Sequence, residues 1–157
     1  MVQKTYIATD GSAWKGVGGS GIATDLGDFH YNVPNFLLTY SNKKIICGGK
    51  KDATNNRGEL YAVIMAIIWA EENHINPRLV IISDSEYVIG YLKGRNKLLS
   101  DNDLLELKNG DLLLILRQLA RGKKYKVKWT KAHIRNPTTY SELLHCRADK
   151  IASYKKN

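Results

Sequence analysis

The stretch that most limits what this chain can fold into is Pro77-Arg-Leu-Val-Ile-Ile-Ser-Asp84. Its continuous aliphatic, β-branched body matches a strand buried on both faces, as in the parallel part of a helix-covered sheet. Parallel neighbours need crossover connections, so such a strand commits the chain to an α/β architecture. The run ends in Ser83-Asp84-Ser85 and passes into a short predicted helix, Glu86–Leu92. Ligands of open α/β sheets collect at the carboxyl ends of parallel strands. Asp84 stands there and has two readings: a ligand-binding acid, or the N-cap of the following helix.

A second acid has the same ambiguity. Thr5-Tyr-Ile-Ala-Thr-Asp10-Gly-Ser12 alternates as a half-buried strand does. An uncompensated charge at its end costs several kcal/mol if it borders a core. Yet Asp10-Gly11 is also a strong hairpin-turn signal. The following Gly16-Val-Gly-Gly-Ser-Gly21 reads as a glycine-rich hairpin, since it lacks the spacing and lysine of a phosphate-binding loop. Gly21–Thr24 is then a second, antiparallel strand.

Residues 25–53 are less legible. Phe36–Tyr40 and Lys44–Cys47 are strand pieces, forming one irregular strand or two short ones. A helix runs from Thr54 to about Glu72, apolar on nearly every face and therefore buried. Asn56 with Glu59 fits a capping box, but Glu59 also stands where the helix enters the core. Residues 93–103 are polar and basic, a loop or broken helix. Leu104–Leu119 has helical periodicity interrupted at Asn109-Gly110. Tyr125–Trp129 alternates as a fifth strand, and Ser141 to about Tyr154 is a final helix capped by Ser141 and carrying Asp149. The expected fold is α/β: a mixed five-stranded sheet, an antiparallel meander joined to parallel strands, flanked by helices. One domain over residues 1–157 is expected, with no separate binding module.

Charge narrows the partners. The net charge is +9, from 24 basic and 15 acidic residues. That excess points to an anionic partner, nucleic acid ahead of a membrane surface. The longest apolar run, Leu60–Ala70, is too short to span a bilayer, and no apolar leader is seen. A soluble, cytoplasmic monomer is expected. Cys47 and Cys146, without a C-x-x-C pair, argue against a zinc site or disulfide framework. Of three tryptophans, Trp69 and Trp129 read as core, and Trp14, in a turn, as able to touch substrate.

Placed on this plan, Asp10 and Asp84 fall on parallel neighbouring strands, with Glu59 above them and Asp149 within reach. Four converging carboxylates repel and raise one another's pKa values. Oxygen-only ligands select hard cations, Mg2+ or Mn2+, and paired Mg2+ ions suit phosphodiester hydrolysis. Thr9-Asp10-Gly11-Ser12, Thr54-Asn-Asn-Arg-Gly-Glu59-Leu, Ser83-Asp84-Ser85-Glu-Tyr87-Val, Val127-Lys-Trp-Thr-Lys-Ala-His133 and Arg147-Ala-Asp149-Lys-Ile-Ala occur in this order. Together they resemble type 1 ribonuclease H, over nearly the whole chain.

The resemblance implies endonucleolytic hydrolysis of the RNA strand of RNA–DNA hybrids, leaving 5′-phosphate and 3′-hydroxyl ends. It implies that Asp10, Glu59, Asp84 and Asp149 are catalytic, metal-binding acids and that His133 is a catalytic loop histidine assisting proton transfer or product release. Ser12, Asn55, Asn56, Ser85 and Glu86 match positions on the RNA side, and Thr54 with Asn109 a pocket for a DNA-strand phosphate. Three departures stand out. The basic region before Asn109 is short and lacks tryptophan, residues 22–53 are longer than usual, and His145 replaces an asparagine found in some members. His145 is expected to sit over Asp149 and to sharpen pH sensitivity below neutrality. Competing readings are a reverse-transcriptase-type ribonuclease H domain, a junction-cutting relative, and a non-catalytic hybrid-binding module.

Overall fold

The computed structural model describes residues 4–14, 17–33, 38–40, 43–45, 55–75, 78–123 and 125–153. Five strands form the main sheet: β1 (Thr5–Trp14), β2 (Val17–Thr24), β3 (Gly27–Asn32), β6 (Leu79–Ser83) and β7 (Lys126–Trp129). Their spatial order is β3-β2-β1-β6-β7. The first three pair antiparallel, and β6 pairs parallel with both β1 and β7. Two short strands, β4 (Leu38–Tyr40) and β5 (Lys43–Ile45), make a separate hairpin. The α/β fold with a mixed five-stranded sheet is therefore as expected.

The helices are α1 (Asn55–Glu72), α2 (Glu86–Leu92), α3 (Asp101–Leu105), α4 (Gly110–Ala120) and α5 (Tyr140–Ala152). Strand alternation sorts the core into two layers. Ile7, Ile22 and Ile81 pack with Leu60, Val63 and Ile67 of α1 and with Leu112 and Leu116 of α4. Ala8, Ala23 and Ile82 face the other way, toward Leu144 and Ala148 of α5. The α5 side uses alanines, so that helix lies close. At Gly21 a Cβ would come 2.4 Å from the Ala148 carbonyl oxygen.

Several local expectations are corrected. Strand β1 runs past Asp10 to Trp14, with Asp10 paired to Gly21, so Asp10-Gly11 is not a turn. Most of the glycine-rich stretch is strand β2; its small residues admit α1 and α5 on either side. The third sheet strand is Gly27–Asn32 rather than a piece of 36–47. In it Phe29 and Tyr31 pack against the core. Helix α5 is capped by Thr139, not Ser141: the Thr139 hydroxyl accepts from the Glu142 amide at 3.2 Å, and the Glu142 carboxylate accepts from the Thr139 amide at 3.0 Å. Trp129 is 55% exposed, because β7 is an edge strand with one neighbour. Trp69 is core, as expected. The Trp14 side chain and Cys47 lie outside the described residues, while Cys146 is a free thiol. No helix among the described residues is long and apolar enough to cross a membrane.

Candidate active site

The β1–β6 register sets the first two acids. Ala8 lies opposite Ile82 in parallel pairing. Continuing both chains by two residues brings Asp10 beside Asp84. Asp84 does not cap α2; that role falls to Ser85, whose hydroxyl accepts from the Val88 amide at 3.2 Å. The Asp84 carboxylate is thereby left to face the sheet end. Glu59 arrives from α1 through a close approach at Gly11, where a Cβ would lie 2.1 Å from the Glu59 backbone nitrogen. No residue larger than glycine lets the helix come so near the strand. Asp149 comes from α5, on the opposite face of the sheet.

The four carboxyls interact as one group. Asp10 is pushed up to about 11, first by burial, then by the Glu59 charge and by hydrogen bonds with Glu59 and Asp149, with Asp84 adding to the effect. Glu59 is pushed up to about 8, first by burial; its hydrogen bond with Asp10 opposes this, while Asp84 and Asp149 reinforce it. The signs agree on one picture: a protonated Asp10 donates to Glu59, and the pair keeps a proton at neutral pH. Asp10 also accepts from the Gly11 amide at 3.0 Å. The Glu59 Oε2 atom is buried and has no hydrogen-bond partner among the described residues. A buried carboxylate oxygen left this way is a position that a cation satisfies.

Two histidines border the acids. His133 sits in the loop before α5 with φ 53°, in the left-handed region. Its Nδ1 lies 3.2 Å from Asp149 Oδ2, and its ring is 78% exposed. His145 is buried, on α5 one turn before Asp149. Its Nε2 faces Asp84 Oδ2 at 3.7 Å, so Asp84 as well as Asp149 is its neighbour. Burial pushes its imidazole below the ordinary value, against the opposing pull of Asp84 and Asp149. Sequence reasoning did not place it against Asp84, since the roll of α5 decides that.

The remaining predicted residues are dispersed around this centre. Asn55 and Glu86 are exposed, and Asn56 and Ser85 half-buried. The Ser12 hydroxyl donates to the Ala152 carbonyl at 2.5 Å. Asn109 is buried at the head of α4, φ 61°, with Oδ1 accepting from Arg57 at 3.3 Å. Thr54 lies outside the described residues.

With this geometry in hand, comparison with known proteins is decisive. The sequence profile of the RNase H family matches residues 2–155. The chain belongs to the ribonuclease H family. It is similar to Ribonuclease H of Ehrlichia ruminantium, 33% identical over 121 residues, covering 74% of this chain and 77% of that protein. It is similar also to Ribonuclease HI of Caulobacter vibrioides, 31% identical over 160 residues, covering 98% and 93%. In fold it resembles the solution structure of the PFV RNase H domain, with a TM-score of 0.66 at 20% identity, over 96% of this chain and 92% of that one. The ribonuclease H family is one of enzymes, and the acidic cluster accords with a metal-dependent member of it.

Proposed function

We propose that this chain is an endonuclease that hydrolyses the RNA strand of RNA–DNA hybrids and leaves 5′-phosphate and 3′-hydroxyl ends. The carrying observation is the convergence of Asp10, Glu59, Asp84 and Asp149 at the end of β1 and β6. A pure binding module gains nothing from four carboxyls aimed at phosphates. In our reading these acids, Asp10 among them, would hold two divalent cations, Mg2+ with Mn2+ able to substitute. The fit is chemical: buried oxygens, a Glu59 Oε2 unpartnered among the described residues, and Asp10 and Glu59 pKa values raised first by burial and further by neighbouring acids. Such cations, when bound, supply Lewis-acid polarisation and offset the negative charge that builds on the phosphodiester.

The protein's own groups do the rest. Glu59 and Asp84, packed on rigid elements, fix where phosphate can approach. His133 holds its Nδ1 against Asp149 while its ring stays open to solvent. That position suits passing a proton between Asp149 and water as product leaves. Ser12, Asn55, Asn56, Ser85 and Glu86 are assigned to the RNA strand, where 2′-hydroxyl contacts separate RNA from DNA. Thr54 and Asn109 are assigned to a DNA-strand phosphate.

The net charge of +9 draws the polyanion in. A cleft of about 460 Å³ between α2 and α4 adds Arg95, Lys97 and Arg121 to this attraction, beside Arg117 and Lys123, which are paired with Asp101 and Glu71. Arg95 packs its guanidinium over the Tyr91 ring at 5.6 Å. Residues 1–157 act as one catalytic unit in this reading, as a monomer.

The test is digestion of a labelled RNA–DNA hybrid, duplex RNA and branched DNA, with and without Mg2+. Divalent-dependent cutting of the hybrid's RNA strand alone is expected. Binding of the hybrid without cutting, or preferential cutting of branched DNA, overturns the proposal.

A further inference from the structure

Outside the four acids, the most telling polar atom is His145 Nε2. His145 is 3% exposed, and this nitrogen has no hydrogen-bond partner among the described residues. It is aimed at the acids: Asp84 Oδ2 is 3.7 Å away, too far for a hydrogen bond and close enough to share a ligand. One donor atom each from Asp10, Asp84 and His145 lie within 4.8 Å of one another. The Thr9 backbone lies close enough to the ring to favour its protonated form, and metal-ligating histidines commonly turn their second nitrogen to such a backbone group.

We propose that His145 is a metal ligand, completing with Asp10 and Asp84 a two-carboxylate, one-imidazole site that takes Mn2+ in preference to Mg2+. This rests on the acid cluster being a metal site, and changes what that site selects. An imidazole is a softer donor than carboxylate or carbonyl oxygen. Mg2+ discriminates against it, whereas first-row transition ions accept it. An asparagine here, as in other sequences of this resemblance, presents an amide and removes the nitrogen donor.

The experiment uses the full chain stripped of metal and loaded with substoichiometric Mn2+. Pulsed electron paramagnetic resonance reads nitrogen directly bonded to the ion. The expected spectrum shows imidazole nitrogen coupling in the wild type. It is lost in His145→Asn and kept in His133→Ala, which removes the other nearby histidine. Calorimetric titration is expected to give Mn2+ binding at least tenfold tighter than Mg2+, with His145→Asn weakening Mn2+ at least threefold and leaving Mg2+ unchanged. Mn2+ bound without nitrogen coupling in the wild type, or coupling that survives His145→Asn, overturns this proposal alone. No divalent binding at all overturns the acid-cluster reading together with it. The wild-type spectrum decides even if a variant fails to fold.

Discussion

Arg57 and Glu59 enter the protein two residues apart on α1, and their charges meet opposite fates. Arg57 is buried against an acid of the chain: its terminal nitrogens donate to both oxygens of Asp111, at 2.9 and 2.8 Å, and to Asn109, while its Nε finds no partner among the described residues. That bidentate pair ties the head of α1 to the head of α4. Glu59 is equally buried but has acids for neighbours, Asp10, Asp84 and Asp149. Its carboxyl is neutralised by protonation rather than by a cation. One charge site is closed within the chain; the other is left to be completed from outside. A buried pair that satisfies itself organises a fold, whereas a buried cluster that cannot satisfy itself marks a place for a ligand.

The comparison is broken most forcefully at Asp10. Asp10→Asn keeps the side-chain shape and removes one anion. Hybrid cleavage is expected to fall by about a thousandfold or more in a gel assay, the loss of about 4 kcal/mol of charge stabilisation. Metal-free unfolding by urea should move the other way, toward higher stability, because folding no longer has to hold that carboxyl protonated. Full Mg2+-dependent cleavage by Asp10→Asn would show that the site is elsewhere.

At the closed site the sign reverses. Arg57→Ala takes the bidentate guanidinium away from the buried Asp111 carboxylate, and a loss of about 3–5 kcal/mol is expected. For a domain of this size that lowers the melting temperature by roughly 6–20 °C in calorimetry. Cleavage per folded molecule should hold up far better than in Asp10→Asn. A melting temperature within one or two degrees of wild type would mean that the pair is not a structural clamp.

The pH dependence of stability sharpens the contrast with a smaller effect. Unfolded aspartate and glutamate titrate near 4. Both Asp10 and Glu59 are raised in the native state, so above about pH 4 the native state holds more protons than the unfolded chain. The metal-free protein must then lose stability as pH rises. The loss runs from about pH 4 through about 8, where Glu59 titrates, with Asp10 continuing toward about 11. A fall on the order of a few kcal/mol is expected between pH 5 and 8 in chelator. Saturating divalent ion and Asp10→Asn should each flatten it. Stability that rises over this window would contradict the carboxyl pairing.

These contrasts also explain which parts were legible in the sequence. The Leu79–Ser83 strand and the α1 body could be read because full burial demands uninterrupted apolar residues. The acids could be read because strand ends and a helix head put charges in a core's path. Strand β3 escaped notice because its alternation rests on two apolar residues alone, Phe29 and Tyr31, in a short segment bounded by Gly27. Trp129 was misplaced because alternation gives a side chain's face but not whether its strand lies at a sheet edge. Arg57 carried a signal, a lone cation at the head of an apolar helix, yet its partner lies 54 residues away on α4. The two readings of Asp84 could be separated only by tertiary structure, where Ser85 occupies the cap.

The most direct test of the central claim is calorimetric titration of the metal-free chain with Mn2+ at pH 7, run in two buffers of different ionisation enthalpy. Because Asp10 and Glu59 both titrate above that pH, ion binding must displace protons. The account predicts saturable binding with net proton release, abolished or greatly weakened by Asp10→Asn. Binding without proton release, or binding that Asp10→Asn leaves intact, would contradict it.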